Sequence, residues 1–138
     1  NLRPGEWREK LGEFDWVILA VPSTDETKGM IGAAELAAMR PNAVLVNIAR
    51  GDVVEQDALV EALKAKTIEA ALLDVTDPEP LPADHPLWDL QNAQVTMHLS
   101  GRAQTKMFQR SADRFVENLD RWQKGEPVQP QMDLAAGY

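Results

Sequence analysis

The stretch Ala43-Val44-Leu45-Val46-Asn47-Ile48 decides the fold, together with the two segments downstream of it. It is a short apolar run with β-branched residues, bounded by Pro41-Asn42 on one side and Arg50-Gly51 on the other, which suits a strand inside a sheet. Residues 55–64 come next, with Ala58, Leu59, Ala62 and Leu63 at helical spacing. Acidic residues gather in the first turn of this segment and lysine closes the last, the order a helix dipole favours. Residues 70–75, Ala-Ala-Leu-Leu-Asp-Val, then repeat the strand pattern. Strand, helix, strand in this order is the grammar of an α/β domain with a parallel sheet and right-handed crossovers.

The same grammar extends outward. Residues 16–21, Trp-Val-Ile-Leu-Ala-Val, read as a preceding buried strand, and residues 32–39 as a helix of about two turns before Pro41. Residues 4–12 suit a further short helix. Downstream, residues 76–94 are rich in proline, aspartate and polar side chains and read as one long loop, a length that is usually functional or disordered. Residues 94–97 form a short fourth strand. Residues 105–123 carry Phe108, Ala112, Phe115, Val116, Leu119 and Trp122 at spacings of three and four, which predicts a helix whose stripe is core. Glu117 with Arg121 and Asp120 with Lys124 add acidic-first pairs on its wet face. Gly125 stops it, and residues 126–138 form an extended tail that needs another surface to dock on.

Composition narrows the partners. A chain of 138 residues, 44% hydrophobic and 26% charged, is long enough for one domain with a core and is neither disordered nor a disulfide scaffold. It has no cysteine, which removes disulfides, thiolate zinc sites and a cysteine nucleophile, and no metal site is proposed. A net charge of −8 argues against nucleic acid and anionic membrane surfaces, since both need clustered lysine and arginine. No apolar run approaches the length of a membrane span, and the N-terminus lacks a secretory signal. The expectation is a soluble cytoplasmic protein with a small-molecule partner. Asn1 is not an initiator residue, which points to a start inside a longer protein.

In open parallel sheets ligands bind beyond the carboxyl ends of the strands. Those ends are Val21-Pro22-Ser23-Thr24, Ala49-Arg50-Gly51, Asp74 with Glu79 further along, and His98-Leu99-Ser100-Gly101. An arginine, two carboxylates and a histidine thus fall on one edge. Arg50 offers a planar, permanently charged fork for a carboxylate. His98 titrates near neutrality and suits a general acid or base. Glu79, by accepting from one imidazole nitrogen, would fix the tautomer and favour the protonated ring. Each has a plainer reading. Arg50 can be a surface ion-pair partner, His98 a cap on the last helix, Asp74 a partner for loop backbone, and His85 a structural residue. Only their joint placement points to chemistry, of the kind that moves one proton while an anion is held.

The strings themselves say more. Val44 to Val54 (VLVNIARGDVV), Ala71 to Pro82 (ALLDVTDPEPLP) and His98-Leu99-Ser100-Gly101 resemble the D-isomer-specific 2-hydroxyacid dehydrogenases, in that family's order and at compatible spacing. Leu19 to Thr24 with Glu26-Thr27, and Asp84 to Trp88, agree. The resemblance implies the second half of a Rossmann-like doubly wound sheet, with residues 1–104 as part of a dinucleotide-binding domain and 105–138 as a helix and tail returning to a substrate domain. It further implies Arg50 as the group binding the substrate carboxylate and carbonyl, His98 as acid/base, Glu79 as its paired carboxylate, and Asp74 as the partner of a nicotinamide carboxamide. Val21, Pro22, Thr27, Ile48, Ala49 and Ser100 match cofactor-lining positions. The implied reaction is hydride transfer between NAD or NADP and C2 of a small 2-keto or 2-hydroxy acid such as glyoxylate or hydroxypyruvate, in an enzyme that is commonly a homodimer.

Departures count too. Met97 stands where the family usually has proline, which should loosen the turn before His98. No G-x-G-x-x-G occurs, so the phosphate-binding half, and the residue that chooses NAD or NADP, belong to a missing N-terminal portion. An alternative on the same scaffold is a cofactor-sensing corepressor.

Overall fold

The computed structural model describes residues 5–101, 106–131 and 133. Four strands, β1 (Trp16–Leu19), β2 (Val44–Asn47), β3 (Ala70–Leu73) and β4 (Ala93–Val95), pair in parallel in the order β1-β2-β3-β4. Helices α1 (Ala33–Ala38) and α2 (Gln56–Lys64) make the first two crossovers. The α/β expectation and its parallel sheet therefore stand. All four strands end at the same edge, which is what gathers the residues after them.

Register explains where the core sits. Val17, Leu45 and Ala71 are in line across three strands, as are Leu19, Asn47 and Leu73. Side chains alternate along a strand, so these two rows share one face. That face is buried, apart from the partly buried Val17, together with Leu36 of α1 and Leu59, Val60 and Leu63 of α2. The other rows, Trp16 with Val44 and Ile18 with Val46, lie on the opposite face. Here the sequence reading needs correction: Trp16 and Ile18 are 58% and 61% exposed, so β1 is not a buried strand. An apolar run does not distinguish a strand covered on both faces from one covered on a single face, and β1 is covered on one.

The first turn of α1 is tied to the segment before the sheet. Burial pushes the Glu35 carboxyl up, but hydrogen bonds from Arg8 Nε (2.9 Å) and the Gly32 N–H (3.1 Å) outweigh it and hold the group below the usual carboxylate range. Arg8 belongs to a short 3₁₀ helix, Arg8–Glu13, where a helix over 4–12 was expected; Pro4 lies outside the described residues. The long loop after β3 is not featureless either. It contains a second 3₁₀ helix, Pro86–Asp89, and β4 begins at Ala93 rather than Gln94.

The chain divides into two compact units, Asn1–His98 and Leu99–Tyr138. The second unit holds α3 (Met107–Gln123), whose expected start at Thr105 lies outside the described residues. Its pairs form as expected, Arg121 with Glu117 (3.3 Å) and Lys124 with Asp120 (2.7 Å). Its stripe does not behave as core: Phe108 is 83% and Trp122 70% exposed, and Phe115, Val116 and Leu119 are exposed too. A lone amphipathic helix has no second layer of its own to bury that face. Part of the described tail is tied to α3. Asn118 holds the backbone of Gln129 at both ends, donating to its C=O and accepting from its N–H at 2.8 Å each. Residues 134–138 of the expected tail lie outside the described residues. Among the described residues no helix is long and apolar enough to cross a membrane.

Candidate active site

The edge is built from four strand ends. After β2, Asn47 is a buried polar residue whose side chain shapes the turn: Nδ2 donates to Arg50 O (2.9 Å) and Oδ1 accepts from the Ala49 N–H (3.0 Å). The turn leaves Ala49 buried and Arg50 exposed, with the guanidinium donating to Ala49 O at 2.7 Å. Gly51 comes next, and a Cβ there would stand 2.0 Å from the Thr76 carbonyl oxygen. Only glycine lets this turn lie against the loop after β3.

After β3, Asp74 is buried and its carboxylate accepts from the Thr96 hydroxyl. Its N–H donates to Asn47 O (2.9 Å) and its C=O accepts from the His98 N–H (2.8 Å), so its backbone continues the sheet on both sides. Two residues on, the Thr76 N–H donates to Glu79 Oε1 at 3.1 Å and the Thr76 hydroxyl to Pro78 O at 3.0 Å. Those bonds fold the loop back and turn the Glu79 carboxylate towards β4.

After β4, His98 sits at φ +54°, a left-handed conformation uncommon outside glycine. The bond from its N–H to Asp74 O anchors it there, directly after Met97. The imidazole Nδ1–H donates to Glu79 Oε2 at 3.1 Å. That hydrogen bond is the main cause that holds the Glu79 carboxyl below its usual range, against some desolvation; the Thr76 N–H and the positive charges of His98 and Arg50 act the same way.

Arg50 and Glu79 share the wall of a cavity of about 390 Å³ with Ser23, Gly51, Asp52, Thr76 and Asp77. On its other side Glu79 lines, with His98 and Thr76, a cavity of about 370 Å³ whose walls include the apolar Pro80, Leu81, Trp88, Val95 and Met97. The expected trio thus meets at Glu79: bonded to one member and sharing a cavity with the other. Of the positions expected to line a cofactor, Val21 and Pro22 follow β1, and Thr27 closes their loop, donating to Pro22 O (2.7 Å) and accepting from the Thr24 N–H (2.8 Å). Ile48 is 44% exposed at the end of β2. Ser100 falls in the second unit. His85 is structural, as its plainer reading holds: Nδ1 accepts from the Leu87 N–H at 3.2 Å and caps the 3₁₀ helix.

Sequence reasoning gave no role to Asn47, Gly51, Ser23 or Asp52. Ser23 Oγ donates to Asp52 Oδ2 at 2.7 Å, joining the first two strand-end loops. A polar residue closing an apolar run, with glycine shortly after, is the signal that could have marked Asn47 and Gly51.

The residues present fit the nicotinamide end of a dinucleotide. Ile48 presents an apolar surface suited to a ring face, and Asp74 a carboxylate of the kind that accepts from a carboxamide N–H. The sequence contains no G-x-G-x-x-G loop to cradle the pyrophosphate. Among the described residues no cluster of His, Asp or Glu is placed to hold a metal ion.

Comparison with known proteins agrees with this architecture. The family model described as D-isomer specific 2-hydroxyacid dehydrogenase, NAD binding domain, matches residues 1–100, and the chain belongs to that family. It is 42% identical over 135 residues to glyoxylate/hydroxypyruvate reductase B of Pectobacterium atrosepticum, covering 96% of this chain and 42% of that protein. A D-isomer specific 2-hydroxyacid dehydrogenase from Xanthobacter autotrophicus Py2, solved with NADPH and MES, superposes with a TM-score of 0.84 at 40% identity, covering 94% of this chain and 54% of that one. The NADPH-dependent glyoxylate/hydroxypyruvate reductase of Sinorhizobium meliloti, solved with NADP and sulfate, gives a TM-score of 0.85 at 28% identity, covering 93% of this chain and 41% of that one. The chain therefore spans about two fifths of the reductases it matches.

Proposed function

We propose that this chain carries the catalytic edge of an NAD- or NADP-dependent D-2-hydroxyacid dehydrogenase that reduces a small 2-keto acid, with glyoxylate and hydroxypyruvate the first candidates. The observation that carries the reading is the hydrogen-bonded Glu79–His98 pair beside a cavity walled by Arg50. A bound nicotinamide supplies the hydride in reduction and accepts it in oxidation. Arg50 binds the substrate carboxylate and polarises the C2 carbonyl. His98, its Nδ1 committed to Glu79, uses Nε2 to deliver a proton to the oxygen forming at C2, and takes one from the hydroxyl in the reverse direction. Glu79 fixes the ring's tautomer and orientation. Asp74 accepts from the carboxamide, and Val21, Pro22, Thr27, Ile48, Ala49 and Ser100 line the cofactor.

In this reading residues up to about 104 belong to the dinucleotide-binding domain, and the rest of the complete enzyme, a cytoplasmic homodimer, supplies the phosphate loop and the substrate domain. The test is turnover by the full-length enzyme, followed as loss of reduced nicotinamide with glyoxylate and hydroxypyruvate. Cofactor binding without turnover of any 2-keto acid would sink it. By the same reasoning the 138-residue chain alone binds NAD or NADP weakly, because the pyrophosphate lacks the backbone amides of a glycine loop. Micromolar affinity in calorimetric titration of this chain would show that loop to be dispensable.

A further inference from the structure

Gln56 is the first residue of α2, and its side chain reaches the loop that carries Glu79. Nε2 donates to Asp77 O at 2.8 Å, and Oε1 accepts from the Asp77 N–H at 3.1 Å. Backbone groups have fixed polarity, so this double contact settles which end of the carboxamide is nitrogen. The same Nε2 stands 3.1 Å from His85 Nε2. An amide nitrogen has two hydrogens, one for Asp77 and one for the ring. His85 Nδ1 already faces the Leu87 N–H, and a neutral imidazole has a single lone pair for two donors. The ring serves one of them at a time, which leaves the bonds to Asp77 as the firm part of the clamp.

What the clamp holds is the approach to Glu79. Asp77 follows Thr76, whose N–H bonds Glu79 Oε1, and the Thr76–Asp77 peptide lies so close to Gly51 that a Cβ there would stand 2.6 Å from the Asp77 nitrogen. The segment is thus gripped between Gly51 and Gln56. The side chains of Glu79 and His98 are 40% and 47% exposed. Their meeting depends on where the backbone places them more than on packing around them.

We infer that Gln56 is a positioning residue of the active site: by fixing the backbone of Asp77 it sets the Glu79 carboxylate against His98. Its kinetic consequence rests on the dehydrogenase reading, whereas its structural consequence does not.

The experiment compares Gln56→Ala, Gln56→Glu, Glu79→Gln and the double variant Gln56→Ala/Glu79→Gln in the full-length enzyme. Gln56→Glu keeps size but turns a carboxylate oxygen towards Asp77 O, so it should do no better than alanine. Two readouts need no turnover. Amide hydrogen exchange at Thr76 and Asp77 should quicken in Gln56→Ala, and the imidazole nitrogen resonances of His98 should move in the direction they take in Glu79→Gln. Unchanged exchange, or His98 signals that stay at their wild-type positions, overturns the inference. In turnover, Gln56→Ala should lower kcat/KM for the keto acid about five- to tenfold, the size of one lost hydrogen bond, with cofactor KM unchanged. The pH profile of reduction should move to lower pH, less than in Glu79→Gln. In the Glu79→Gln background Gln56→Ala should cost nothing more, since a residue that acts through Glu79 has nothing left to place. Additive losses, or faster exchange with wild-type kcat/KM and pH profile, would make Gln56 a stability residue and overturn the inference. If the wild-type enzyme turns over no 2-keto acid, the dehydrogenase reading falls while the exchange and resonance measurements still decide for or against Gln56.

Discussion

The two histidines of the chain have different neighbours. His85, in the loop after β3, faces the Gln56 amide with one ring nitrogen and the Leu87 N–H with the other. His98, after β4, gives one nitrogen to the Glu79 carboxylate. An amide donor offers nothing to a charged ring, whereas an ionised carboxylate stabilises one. His85 shapes the chain as an acceptor for a backbone N–H. His98 has the carboxylate partner that the proposed proton transfer calls for. The partner's charge, more than the residue type, separates structure from chemistry.

The sharpest way to break this comparison is to delete each ring in the full-length enzyme. His98→Ala should lower kcat for keto-acid reduction by about 10²- to 10⁴-fold, the usual worth of a general acid. His85→Ala should leave kcat within about tenfold and lower the melting temperature by a few degrees, as loss of a cap of about 1 kcal/mol does. Equal losses of turnover would end the distinction. Arg50→Lys comes next, with kcat/KM falling about 10- to 100-fold, the range for losing a hydrogen bond to a charged group, and cofactor affinity little changed. An unchanged kcat/KM would return Arg50 to the role of a surface ion-pair partner.

Glu79→Gln tests the carboxylate itself. It keeps size and a hydrogen bond but removes the charge, so the pH profile of reduction should shift to lower pH and the useful range of oxidation should extend downward. Superimposable profiles would assign Glu79 to the loop alone. The smallest effect concerns stability. His98 and the charges around it hold the Glu79 carboxyl below its usual range. The folded state then binds that proton more weakly than the unfolded chain, so the pair's contribution is present above the ordinary carboxylate range and fades as pH falls through the folded value. The pair is exposed enough for solvent to screen it to less than about 1 kcal/mol. Acid titration of the melting temperature should show a slightly weaker slope for Glu79→Gln than for wild type.

How much of this was legible depended on whether a residue's role is written locally. Arg50, Asp74 and His98 follow apolar runs, and the parallel grammar alone puts such residues at one edge, so they could be found without coordinates. Glu79 lies further into a proline-rich loop, so residue type could suggest its partnership with His98 while spacing alone could not place it there, because the bond that folds it back comes from Thr76. Trp16 and Ile18 read as buried because hydrophobicity says nothing about which face of a strand is covered. Phe108 to Trp122 read as core because periodicity identifies a helix and its apolar side, not the presence of a second layer. Asn47, Gly51 and Gln56 escaped for a common reason: each is defined by a backbone it meets in space, and Gly51 and Gln56 meet one belonging to another strand's loop.

The contact between Gly51 and the Thr76 carbonyl bears on how substitution experiments on this edge are interpreted. In a saturation library selected for turnover, position 51 should be as intolerant as position 50, although glycine contributes no functional group. Even alanine would place its methyl carbon 2.0 Å from a carbonyl oxygen, so every replacement pushes the loops after β2 and β3 apart. Sensitivity to substitution would then map two different things onto neighbouring positions. A parallel screen for folded protein would tell them apart, with Arg50 variants abundant but inactive and Gly51 variants depleted before catalysis is ever assayed.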